Sequence, residues 1–163
     1  MAHAPRTNVL RLLEARQVPY QAFSYSDEIH SAEGVAEAIG VPAEQVFKTL
    51  VVLRERGRPL LVLLPGGRQL DLRLLARGLG EKKLRMATQR EAEALTGLQV
   101  GGISALALLH KGFEVCIDAS AQRFQEVYVS AGQRGLNVRL PVADLVRLTN
   151  ARLVEAGGVM RDA

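Results

Sequence analysis

An α/β fold with a mixed β-sheet follows from three features of this 163-residue chain. Short apolar runs alternate with segments of helical spacing, helix-capping residues open those segments, and no repeat, linker or low-complexity tract separates them. The whole chain, 1–163, therefore reads as one compact domain whose helices flank the sheet, long enough to bury a core without covalent staples.

Thr7 is placed to cap a first helix whose Val9, Leu10, Leu12 and Leu13 share one side, and Pro19 ends it. Tyr20 to Tyr25 is extended. Ser31 caps a second helix through Ile39, closed by Gly40, and Pro42 opens one further turn. Val46 to Leu53 is an apolar, β-branched run that predicts a buried strand, and the polar Arg54-Glu55-Arg56-Gly57-Arg58 leads into a second run, Pro59 to Leu64, as a hairpin. Pro65-Gly66-Gly67 breaks the chain. Asp71 caps a helix carrying Leu72, Leu74 and Leu75 that stops at Gly78, Leu84 to Met86 is a short strand, and Thr88-Gln89-Arg90-Glu91 is a capping box opening a helix that Gly97 ends. Gln99 to Val100, Ala105 to Leu109, Phe113 to Ile117, Gln125 to Val129 and Leu136 to Leu140 read as extended runs, with a turn at Ser130 to Gly135. Pro141 starts a last helix through about Leu148.

Composition narrows the function classes. No segment approaches the roughly 18 consecutive apolar residues of a membrane span, and Met1-Ala2-His3-Ala4-Pro5-Arg6 lacks the apolar core of a secretory leader. The single cysteine, Cys116, lies in an apolar strand and has no internal disulfide partner. A cytoplasmic protein without contact to membranes is expected. Between Arg54 and Arg90 stand ten basic residues against three acids, while the rest of the chain is net acidic, a distribution that suits a polyanionic partner as well as solvated helix faces.

Several chemistries are poorly supported. His3, His30, His110 and Cys116 have no metal-ligand spacing. Gly102-Ile103-Ser104-Ala105-Leu106 lacks the second glycine of a serine-hydrolase elbow, and Gly66-Gly67 does not continue into a phosphate-binding lysine and hydroxyl. Neither a metal nor another cofactor is expected. What stands out is Lys48 inside the apolar strand, whose ammonium must either escape to water or meet a group that needs it. Gly101-Gly102-Ile103-Ser104 can bring bare backbone N–H groups against a ligand or form a tight turn, and Ser130 offers a hydroxyl to a ligand or to its own turn.

Taken together, four ordered stretches resemble the YbaK/EbsC family of trans-editing proteins, relatives of the insertion domain of bacterial prolyl-tRNA synthetases. They are Gln45 to Val52, Gln69 to Leu72 with Leu79 to Lys83, Thr96 to Ser104, and Tyr128 to Leu136, within a resemblance running from about Tyr20 to Thr149. The resemblance implies an α+β domain with a strongly curved mixed sheet and hydrolysis of the ester joining a wrong amino acid to tRNA. In its cysteinyl-tRNA(Pro) branch the substrate thiol attacks its own ester, which requires a shaped pocket rather than a protein nucleophile. Lys48 matches the functional lysine. Tyr25, Thr49, Gly101, Gly102, Ile103, Ser104, Ser130 and Asn137 match the substrate-binding positions. The implied partners are the acceptor end of a mischarged tRNA and prolyl-tRNA synthetase.

The chain departs from the family pattern twice. Ala105 replaces the proline after Gly-Gly-Ile-Ser, removing a φ constraint and adding a backbone N–H, and Asn137 stands where the cysteine-specific branch has an aspartate, which loosens an ionic hold on a substrate ammonium. A deacylase of alanyl- or seryl-tRNA that activates water, and a tRNA- or synthetase-binding module with weak turnover, are the alternatives these departures leave open.

Overall fold

Three long-range strand alignments set the architecture in a computed structural model, which describes residues 7–160. The Met1–Arg6 stretch, with His3, lies outside the described residues. The first alignment is a five-stranded sheet in the order β5-β2-β3-β6-β9, built from β2 (Phe47–Arg54), β3 (Leu60–Pro65), β5 (Leu84–Met86), β6 (Glu114–Asp118) and β9 (Arg152–Val154). The β2–β3 hairpin and β5 are antiparallel to one another, whereas β3–β6 and β6–β9 are parallel, so the sheet is mixed. A three-stranded antiparallel sheet orders β1 (Gln21–Ser24), β8 (Leu136–Pro141) and β7 (Glu126–Ser130) as β1-β8-β7, and β4 (Arg68–Leu70) pairs β10 (Gly157–Met160). A parallel bridge from Val46 to Tyr128 joins the first two sheets.

β3 is buried over its whole length because helices cover both faces of its sheet. One face meets a core containing Phe47, Val51, Leu61, Leu63, Ile117 and Val129, and the other meets Val52, Leu60, Val62, Leu64, Leu75 and Cys116. The odd and even positions of β2 are thus divided between two cores, as the period-2 geometry of a strand requires. Lys48 lies on the Leu64 side, directly opposite Leu64 in the hairpin register.

The α-helices follow the capping signals. α1 (Asn8–Ala15), α2 (Ala32–Ile39), α3 (Leu72–Leu79) and α4 (Gln89–Thr96) are N-capped by the side chains of Thr7, Ser31, Asp71 and Thr88, the last in a reciprocal capping box with Glu91. α5 (Val142–Thr149) follows Pro141.

Three expectations are corrected. Ala105 to Leu109 is not extended: Leu106–Leu108 forms a 3₁₀ turn, with the Ser104 hydroxyl accepting from Ala107 N–H at 3.3 Å. A five-residue run that is apolar at every position has no periodicity that separates a strand from a helical turn. Gln99–Val100 is likewise a turn, closed by Gly102 N–H donating to Gln99 O at 2.8 Å. α3 also continues one residue past Gly78 and stops at Gly80, whose φ of 71° ends the helix.

Candidate functional site

A cleft of about 250 Å³ opens where the three-stranded sheet meets the outer edge of β2. β5 covers only the Val52–Arg54 part of that edge, so the Val46–Leu50 segment lines the cleft. The Val51 carbonyl accepts from Ala87 N–H at 3.0 Å and so points away from β3. Alternation along an antiparallel strand gives the Thr49 peptide groups the same direction, toward the cleft. Edge backbone and side chains both become available to a ligand.

Lys48 extends from this edge and is only half-buried. Its Nζ donates to the Arg68 carbonyl at 3.0 Å. That bond fixes one of three ammonium protons and leaves two for a ligand. Arg68 belongs to β4, which is held by β10, so the position of the charge depends on a ribbon distant in sequence.

The opposite wall comes from the smaller sheet. Ser130 and Asn137 are partners across β7 and β8, Phe23 of β1 pairs with Asn137, and Tyr25 follows β1 with its N–H donating to Gly135 O at 3.0 Å. The Tyr25 hydroxyl donates to Asn137 Oδ1 at 2.9 Å. Burial pushes the Tyr25 phenol up to about 12, so it stays a neutral donor across the physiological range. The Asn137 amide nitrogen remains available to donate into the cleft. The Ser130 hydroxyl accepts from Gly132 N–H at 3.2 Å and so shapes its own turn while facing the cleft.

The third wall is the Gly101-Gly102-Ile103 loop. Gly101 has φ of 93°, which side chains disfavour. At Gly102 an added Cβ would sit 2.8 Å from Arg134 N and 2.9 Å from Gln133 C, so a side chain would push this loop off the Ser130–Gly135 turn. Arg134 Nε clamps the same junction by donating to Val100 O at 2.7 Å.

The cleft therefore brings together Tyr25, Lys48, Thr49, Gly101, Ile103, Ser130 and Asn137. It does not bring in Gly102, whose place is against the Gln133–Arg134 backbone, or Ser104, whose hydroxyl caps the 3₁₀ turn and which is 1% exposed. Sequence reasoning missed His30, Ser31, Glu33, Val35 and Val100, which also line it. Ser31 was legible as a helix cap, and the first turn of α2 that it starts forms the cleft rim. Among the described residues Glu33 is the one carboxylate on the lining, with Oε1 accepting from Gly67 N–H at 3.1 Å.

The protein's own thiol is elsewhere. Cys116 is fully buried, and burial raises its pKa to about 11, which leaves it a protonated core side chain. His30 Nε2 lies 3.0 Å from the Asp27 carbonyl, and among the described residues no hydroxyl is hydrogen-bonded to a histidine. The arrangement can bind and polarise a ligand.

The model of the aminoacyl-tRNA editing domain matches residues 26–148. The chain belongs to this family. The editing domain is 36% identical over 92% of each chain to an Enterococcus faecalis protein provisionally named Cys-tRNA(Pro)/Cys-tRNA(Cys) deacylase EbsC. It is 28% identical, over 83% of its own length and 22% of the other's, to a proline–tRNA ligase of Shouchella clausii. Among solved structures it matches one provisionally described as a trans-editing enzyme for prolyl tRNA synthetase, with 25% identity, a TM-score of 0.77, and coverage of 96% and 100% of the two chains. The α+β architecture, the mixed sheets and the flanking helices of this editing domain agree with that structure.

Proposed function

We propose that the editing domain is a trans-acting aminoacyl-tRNA deacylase whose substrate is cysteinyl-tRNA(Pro), and that the single domain 1–163 acts in the cytoplasm beside prolyl-tRNA synthetase. The observation that carries this reading is the pairing of Lys48, held by one bond on the open edge of β2, with a cleft in which the Tyr25 and Ser130 hydroxyls are engaged in shaping the walls. A site of that composition favours a reaction in which the substrate brings its own nucleophile.

The chemistry follows from the walls. The cysteine sulfur attacks its own ester carbonyl, a carbon–sulfur bond forms, the ester carbon–oxygen bond breaks, and the thiol proton ends on the ribose hydroxyl. Water then opens the cyclic thioester to free cysteine. Lys48 stabilises negative charge developing on the carbonyl oxygen, and the N–H groups of the Gly101 loop and Thr49 fix the ester. Ile103 and Ser130 confine the side chain, which converts attack into a proximity-driven step. With Asn137 amidic, Glu33 supplies the carboxylate that holds the substrate ammonium.

The test is release of amino acid from separately prepared cysteinyl-, alanyl- and seryl-tRNA. Cysteine release should accelerate; acceleration of none, with or without prolyl-tRNA synthetase, overturns the reading. Asn137 favours one second reading, a water-using deacylase of alanyl- or seryl-tRNA, and faster release of those amino acids than of cysteine would establish it.

A further inference from the structure

The cleft accounts for only the aminoacyl end of a substrate that is mostly ribose phosphate, and most of the ten cations between Arg54 and Arg90 form no ion pair among the described residues. Arg54 pairs with Glu81 and Glu114, and Arg85 with Glu91. Arg77, Lys82, Lys83 and Arg90 are exposed, and their side chains carry no hydrogen bond or ion pair among the described residues. Arg56 and Arg73 add to the positive charge of the same segment.

Their placement is linear. β5 is an edge strand, bonded on one side to β2 and unpaired on the other. Its register sets Leu84 opposite Arg54 and Met86 opposite Val52, and Ala87 N–H reaches Val51 O next to the cleft-lining segment. The strand thus runs from the β2–β3 hairpin end of the sheet straight to the cleft. Lys82 and Lys83 precede it, Arg90 follows it in the first turn of α4, and Arg77 lies in the last turn of α3, the helix that comes before it in the chain. Lys48 and Arg54 are six strand residues apart, roughly 20 Å. Met86, 39% exposed, stands between the two ends on the face of the sheet that Lys48 shares. Two of the neighbouring acids, Glu81 and Glu91, are neutralised by Arg54 and Arg85.

We propose that the β5 edge is an RNA track: Arg90 and Met86 receive the single-stranded 3′ end leaving the cleft, and Lys83, Lys82 and Arg77 hold phosphates of the first acceptor-stem base pairs. The track rests on the deacylase reading and deepens it by assigning the surface that holds the nucleic acid. Charge complementarity selects RNA over a protein partner, because an unpaired row of cations beside a cleft for an RNA terminus meets a polyanion along its length. Such interactions carry little base information and make affinity depend on salt.

The test compares the wild type, the pair Lys82→Ser/Lys83→Ser and a charge-matched control, Arg11→Ser on α1 with Arg16→Ser at its C-cap, both exposed and outside the cleft. Each is assayed on full-length cysteinyl-tRNA and on cysteine esterified to a CCA trinucleotide, across a salt series. The Lys82/Lys83 pair should raise KM for full-length tRNA about tenfold, leave kcat and the trinucleotide reaction unchanged, and flatten the salt dependence by about 0.7–0.9 log units per log salt for each phosphate the variant no longer neutralises. The control should match the wild type. Unchanged KM on full-length tRNA, or an equal loss on both substrates, overturns the track. If the wild type releases amino acid from neither substrate, the deacylase reading fails by itself, and filter binding of uncharged tRNA then decides the track: weaker binding by the Lys82/Lys83 pair supports it, and equal binding overturns it.

Discussion

Lys48 sits beside apolar neighbours because its side chain leaves β2 at an uncovered edge and its ammonium finds the Arg68 carbonyl. Lys48→Ala removes the positive charge from the cleft, and kcat/KM should fall about 100-fold, the scale of losing one donor to a developing oxyanion. The melting temperature should hardly move, since the carbonyl left behind is part-exposed and can turn to water. Lys48→Arg should not restore the rate, as a planar fork cannot keep one proton on Arg68 and aim two at the same oxygen. Tyr25 makes a different prediction. With its phenol raised to about 12, the neutral form is favoured by folding, so its contribution is full below pH 10 and is lost as pH rises from 10 toward 12. An absorbance titration should show a tyrosine step above that of free tyrosine, missing in Tyr25→Phe. The same substitution leaves buried Asn137 Oδ1 without its donor and should cost about 1 kcal/mol in a denaturant series. Ala105 resolves one of the departures from the family pattern: its φ is −61°, the value proline would impose. The loop keeps a proline-like backbone without the ring. Seven cleft residues, Tyr25, Lys48, Thr49, Gly101, Ile103, Ser130 and Asn137, were legible because the resemblance fixed their order along the chain. Glu33 and His30 were not, because nothing in a helix start says which cleft it will border.

At the scale of elements, the less legible part of the fold supports the site. β4, β9 and β10 are short, and their sequences, Arg-Gln-Leu, Arg-Leu-Val and Gly-Gly-Val-Met, carry no alternation long enough to announce a strand. Their pairing comes from partners far along the chain. The helices, in contrast, were readable from four side-chain caps, because capping is local chemistry. Asp118 anchors the C-terminal strands: its Oδ1 accepts from Ala156 and Gly157 N–H, each at 2.9 Å, and its Oδ2 from Ser120. Burial acts to raise its pKa, but the hydrogen bonds from Ser120, Ala156 and Gly157 outweigh that and hold it below the usual carboxylate value. Stability from this group is present above about pH 3.9, the ordinary aspartate value, and is lost as pH falls below it. Asp118→Asn should lose about 2 kcal/mol at neutral pH and show a weaker acid dependence in chemical denaturation. Because β10 holds β4 and β4 holds Lys48, the same variant should also speed hydrogen exchange at the Arg68–Leu70 amides and lower kcat.

For the molecule as a whole, the chain divides its work between a core and an edge. β3 and the helices on both sides of it bury the apolar residues, and the edge of β2 is left open where the smaller sheet approaches. The mixed α/β character was legible because runs and caps alternate along the chain, and the split into separate sheets was not, because only long-range register reveals it. In the proposed reaction the release of cysteine from tRNA depends on the substrate's own sulfur, since among the described residues no histidine is hydrogen-bonded to a cleft hydroxyl. Initial release rates from one tRNA(Pro) carrying either cysteine or serine, which differ by sulfur against oxygen, isolate that dependence with wild-type protein. Rapid loss of cysteine with serine retained is the expected result. Serine released as fast as cysteine, or neither released above the uncatalysed rate, would refute a sulfur-driven mechanism.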